Sequence, residues 1–112
     1  MSEPTRAQFV EALKLIRLPR GRQLEFLRAH LKAPERKMTA RALAKAVGYR
    51  SYRGINLQYG ILGRDIGQVL GKKEADIRVL VSFVSPHSED NAEWILVMKP
   101  QFADALVEAG WL

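Results

Sequence analysis

The sequence predicts an α+β, mainly helical domain. Three observations carry that prediction. Apolar residues recur every three to four positions through the first 70 residues, which is the period of a helix face. Between residues 77 and 98 the period changes to two, the signature of strands. After Pro100 the helical spacing returns.

The elements follow in order. Phe9, Val10, Leu13 and Ile16 mark a first helix over about Thr5–Leu18, with Pro4 suited to its start and Pro19-Arg20-Gly21 ending it. Leu24, Leu27 and Leu31 form one stripe of a second helix, Arg22–Lys32, with Phe26 and His30 beside it and Pro34 just beyond. A short charged link, Ala33–Lys37, leads to a third helix over Ala40–Val47. Thr39 is a good N-cap for it and Gly48 a good C-cap. The turn Gly48-Tyr49-Arg50-Ser51 opens a fourth helix, Tyr52–Leu70, with Ile55, Tyr59, Leu62, Ile66 and Val69 on one stripe and Gly71 at its end.

Ile77, Val79, Val81 and Phe83 then alternate with Arg78, Leu80, Ser82 and Val84, and Trp94, Leu96 and Met98 with Ile95 and Val97. These read as two antiparallel strands of a hairpin that lids the helical core, with Trp94 as its anchor. A last helix, Gln101–Ala109, turns Phe102, Ala105 and Leu106 inward, so that Trp111 can fold back.

A helix pair with a tight turn, followed by a hairpin, is a winged helix-turn-helix layout. All 112 residues read as one such domain. It divides into an N-terminal helical pair (1–35), the helix-turn-helix (38–71), the hairpin (76–99) and the C-terminal helix (100–112).

Charge supports a polyanionic partner. The net charge is +6, but residues 1–73 hold 16 lysines and arginines against five acids, and the remainder two against seven. The basic part contains the helix pair. In helix-turn-helix geometry the start of the second helix meets base edges. Here that start offers Arg50, Ser51, Arg53 and Asn56, with Gln58 close behind. Arg pairs bidentately with guanine and Asn with adenine, and Ser51 can cap the helix or bond a phosphate. Arg36, Lys37, Arg41 and Lys45 surround the first helix and are candidates for phosphate contacts, which set affinity and register. Arg53, Asn56, Gly60, Gly63 and Gly67 share one side of the fourth helix. Glycines there imply close approach, either of a DNA backbone or of another helix of the same domain. The hairpin tip, with Glu89, Asp90, Glu93 and His87, lacks the basic residues of a phosphate-touching wing.

Other classes are disfavoured. There is no cysteine, and the two histidines, His30 and His87, lie far apart without clustered carboxylates, so neither a metal nor a cofactor is expected. His30, beside a leucine stripe, reads as a hydrogen-bonded, half-buried residue. No nucleophile–base set can be assembled, so the chain is not expected to be an enzyme. No apolar run spans a membrane and the first residues lack a signal-peptide pattern, which points to the cytoplasm. Duplex DNA is the expected partner. A protein-interaction module using Tyr49, Tyr52 and the acidic wing, an RNA binder stacking bases on Tyr49, Tyr52 and Tyr59, and a homodimer are the alternatives.

Two segments, Thr39-Ala-Arg-Ala-Leu-Ala-Lys-Ala-Val-Gly-Tyr49 and Asn56-Leu-Gln-Tyr-Gly-Ile-Leu-Gly63, resemble a small recognition module that accompanies HNH-type nucleases of restriction systems. Trp94-Ile-Leu-Val-Met-Lys-Pro100 and Ala105-Leu-Val-Glu-Ala-Gly-Trp111 are similar too, so the resemblance spans about residues 36–112. These 112 residues hold no HNH metal-binding segment. The resemblance therefore implies a stand-alone recognition or regulatory domain that binds DNA without cutting it.

Overall fold

Helix ends show how local chemistry sets the elements of the computed structural model, which describes residues 3–16, 23–73, 75–84 and 94–111. Helix α1 (Arg6–Leu15) is closed by a capping box. Thr5 Oγ1 accepts from Gln8 N–H, and the Gln8 side chain accepts from Thr5 N–H. It ends at Ile16, earlier than the apolar pattern implied; Pro19-Arg20-Gly21 lies outside the described residues. Helix α2 is Gln23–Lys32, followed by a 3-10 turn, Pro34–Arg36. Helix α3 is Ala40–Val47, capped by Thr39 Oγ1 on Ala42 N–H and closed by Gly48 at φ +79°. Only glycine takes that backbone conformation freely, and it is what lets the chain reverse into the next helix. Helix α4 is Tyr52–Val69 and helix α5 is Pro100–Glu108. Thr39→Ala should cost about 1 kcal/mol, read as a lower urea midpoint at unchanged slope.

Two expectations about strands are corrected. The link before α3 is not all loop: Lys37–Thr39 forms strand β1. It pairs antiparallel with β3 (Ile95–Met98), Met38 opposite Leu96. Three residues are too few to show alternation, so sequence periodicity passes over it. The hairpin is thus part of a three-stranded antiparallel sheet of order β1-β3-β2, where β2 is Val81–Val84. The strand expected from Ile77 begins only at Val81. Asp76 accepts from Arg78 N–H and grips the Arg78 guanidinium at 2.7 Å, which winds Ile77–Val79 into a second 3-10 turn. As a result Leu80, expected to face outward, is fully buried.

The core lies between the helices and one sheet face. Phe9 of α1 meets Phe102 of α5 at 5.4 Å between ring centroids, and Phe26 of α2 meets Tyr59 of α4 at 4.9 Å. Leu96, Met98 and Val81 seat the sheet on this core, and Trp111 folds back onto it. Trp94 is not the anchor. It is half-exposed and stands edge-on to Phe83, which is 40% exposed. His30 is buried completely rather than by half. Its Nε2 lies 2.9 Å from the Leu96 carbonyl and its Nδ1 2.9 Å from the Tyr59 hydroxyl. A carbonyl can only accept, so Nε2 carries the hydrogen and Nδ1 accepts from Tyr59. One neutral imidazole thereby ties α2 to both α4 and β3. The result is a compact, mainly helical α+β domain.

Candidate nucleic-acid interface

The α3–turn–α4 unit is built by its caps. Tyr49 N–H donates to the Ala44 carbonyl across the turn, and Ser51 Oγ accepts from Arg53 N–H at the start of α4. Ser51 therefore serves as the N-cap. An α4 of 18 residues is about 27 Å long, and its positive dipole end points out at this turn.

Burial divides α4 along its length. Ile55, Tyr59, Leu62 and Ile66 are buried on one side throughout. The glycine-rich side changes character half-way. A Cβ at Gly60 would meet nothing within 4 Å. One at Gly63 would fall 2.2 Å from the Asp76 carbonyl oxygen, and one at Gly67 2.7 Å from the Ala75 side chain. The second half of that side is thus covered by the segment leading to the second 3-10 turn. At Gly63 and Gly67 the close approach is internal, but it comes from the chain around residues 75–79 and not from another α-helix. The first two turns remain open to solvent.

On that open end Arg50, Ser51 and Arg53 are exposed, and Asn56 is half-buried. Arg41, from α3, comes to the same place: its guanidinium lies 5.7 Å from the centre of the Tyr52 ring, and that of Arg53 lies 6.0 Å from it. Tyr52 thus holds two cations from different helices near one another. Sequence reading offered Tyr52 only as an exposed aromatic, because nothing along the chain shows that Arg41 crosses the turn to reach it. Lys45 is exposed one helical turn beyond Arg41.

The other two phosphate candidates are placed differently. Lys37 is exposed, with Glu35 at 3.5 Å. Arg36 is half-buried, and its Nε is enclosed without an acceptor among the described residues. Both Glu35 and Arg36 have positive φ, +54° and +57°. Arg36 is therefore held by the fold on entering β1 rather than offered on an open surface. The acidic hairpin tip with His87, Glu89, Asp90 and Glu93 lies outside the described residues.

Beside the start of α4, a cleft of about 480 Å³ opens between the helices and the sheet. Ala40, Asn56, Ile77, Phe83, Trp94 and Leu96 line it. The groups brought together at this end of the molecule are guanidinium, amide and hydroxyl, which recognise anions and hydrogen-bonding edges. Among the described residues no three His, Cys, Asp or Glu side chains are grouped to hold a metal. No helix among them is long and apolar enough to cross a membrane. In comparisons with protein-family models, with curated proteins and with solved structures, nothing matches the chain.

Proposed function

We propose that this chain is a DNA-binding domain of winged helix-turn-helix type that reads duplex DNA with the first turns of α4 and has no catalytic role. The observation that carries the proposal is the division of the glycine-rich side of α4. Its second half is covered by residues 75–77, and its first half presents Arg53 and Asn56, with Arg41 held alongside by Tyr52. The order α2–β1–α3–α4–β2–β3, with a three-stranded sheet, fits that fold type. Arg50, Arg53 and Asn56 are then the base-reading groups, Ser51 caps the helix that presents them, and Arg41 and Lys45 contact phosphates. The resemblance to the recognition module accompanying HNH nucleases accords with a recognition or regulatory domain.

The test is a titration of random-sequence and selected duplexes at several salt concentrations. Arg41 and Lys45 together contribute roughly −1.8 to the slope of log affinity against log salt. Arg41→Ala with Lys45→Ala should weaken all duplexes alike and flatten that slope by about two. Arg53→Ala with Asn56→Ala should erase sequence preference, about 1–3 kcal/mol for each base contact, while leaving the slope nearly as it was. Binding that is absent or insensitive to salt would sink the proposal. Preferential binding of single-stranded RNA, or of a protein partner, would replace it with one of the other classes.

A further inference from the structure

Leu57 has no explanation in the fold. It is 61% exposed, in the second turn of the longest helix among the described residues. It takes no part in the core or in the layer of partly buried residues packed against it. Its neighbours on the same ridge of α4, at helical spacing, are Arg53 on one side and Gly60 and Arg64 on the other. Arg53 and Arg64 are exposed, and Arg64 lies 3.2 Å from Asp65. The backbone at Gly60 is bare, with no atom within 4 Å of where a Cβ would stand. The ridge is therefore cationic at both ends, with Leu57 exposed and Ile61 half-buried between them, and open to close approach beside Leu57.

A protein partner would want a broad apolar patch here, and the ridge offers only exposed Leu57 and half-buried Ile61 between arginines. A nucleic-acid groove wants the reverse: cations flanking a single apolar spot. The base edges of the DNA major groove carry one apolar group, the C5 methyl of thymine. Leu57 follows Asn56 directly and lies one turn beyond Arg53, within the reach of the reading end.

We propose that Leu57 is a specificity residue that packs on a thymine methyl, with bare Gly60 allowing α4 to sink far enough into the groove to make the contact. The proposal rests on the DNA-reading assignment of α4 and adds a base to it: adenine for Asn56, guanine for Arg53, and thymine for Leu57.

The experiment starts by selecting preferred duplexes from a random pool with the whole chain. Affinity is then measured on the best duplex and on copies in which each thymine in turn is replaced by uracil, which removes only the methyl. Wild-type protein should lose about three- to five-fold at one thymine position, the effect of one methyl group returned to water. Leu57→Ala should bind the thymine duplex about as weakly as wild type binds the uracil duplex, and should not distinguish the two. Because Leu57 is exposed, its thermal unfolding should be unchanged. Sequence-selective, salt-dependent binding that ignores every thymine-to-uracil change would overturn the role of Leu57 and leave the DNA-reading assignment standing. So would a Leu57→Ala protein that still senses the methyl. Failure to bind duplex DNA at all, or a selection that returns no preferred sequence, overturns the methyl contact together with the reading it rests on.

Discussion

Gly63→Ala is expected to destabilise the domain by about 3 kcal/mol or more, and Gly60→Ala, three residues earlier in the same helix, to stabilise it by about 1 kcal/mol. The opposite signs follow from what each Cβ meets. At Gly63 the new carbon would stand 2.2 Å from the Asp76 carbonyl oxygen and 2.9 Å from the Ile77 Cα. Both are backbone atoms, and no rotamer change can move them aside. The segment is also braced by Asp76, whose carboxylate holds Arg78 through its side chain and its backbone N–H. That guanidinium keeps the Asp76 carboxyl below the usual carboxylate range. Relief requires α4 to part from the 3-10 turn, which pulls Val79 and Leu80 out of the core. At Gly60 the space is empty, and alanine gains the helix propensity that glycine lacks. Urea denaturation of both variants decides the matter. A Gly63→Ala protein as stable as wild type would mean that the seam between α4 and the second turn is not closed. The stabilised Gly60→Ala variant should at the same time bind DNA less tightly, since its methyl group occupies the opening beside Leu57.

Acid should unfold this protein earlier than its charge alone would suggest, and His30 is the cause. Burial pushes the imidazole below its ordinary value near 6.5, against the opposing pull of backbone contacts to Leu96 and Arg36. The folded state therefore binds a proton less readily than the unfolded chain. Stability is complete above about pH 6.5 and falls as pH drops below it toward the depressed folded value, by at most about 1.4 kcal/mol for each pH unit. A charged His30 would carry a hydrogen on Nδ1, where it now accepts from Tyr59, so protonation reverses that bond and leaves the Tyr59 hydroxyl hydrogen without its acceptor. His30→Gln should remove this part of the pH dependence while lowering stability at neutral pH. Tyr59→Phe should cost about 1–3 kcal/mol by leaving Nδ1 buried without a donor. It should keep the acid sensitivity, because burial and not the hydroxyl is its main cause. Thermal unfolding of the three proteins from pH 7.5 to pH 4.5 separates these effects. If His30→Gln follows the wild-type pH profile, the acid sensitivity comes from elsewhere.

The candidate site was only partly legible in the chain. Arg53 and Asn56 stand out because capping residues and the turn at Gly48 locate the start of α4 from neighbours in sequence, and helical geometry then groups them. Along the chain, Leu57 and Ile61 sit off the core stripe of Ile55, Tyr59 and Leu62, a pattern that implies burial of the helix on a second side. In the fold Leu57 stays 61% exposed. Arg36 counted as a surface cation until the turn into β1 enclosed its Nε. The pairing of Arg41 with Tyr52 joins two helices and has no trace along the chain.

Periodicity, caps and turn residues were enough to establish the helices, the turn between α3 and α4, and the mainly helical α+β class, because each depends on residues within a few positions of one another. Long-range packing alone determined the rest. β1 exists because β3 supplies its partner, and the segment at Ile77 is held where the Asp76 and Ile77 backbone seats against Gly63 of α4. The depth of His30 depends on α4 and β3 arriving from far along the chain. Local signals state what each segment prefers. Which face of α4 closes over and which stays open depends on distant segments competing for the same space, and no single stretch of sequence records that outcome.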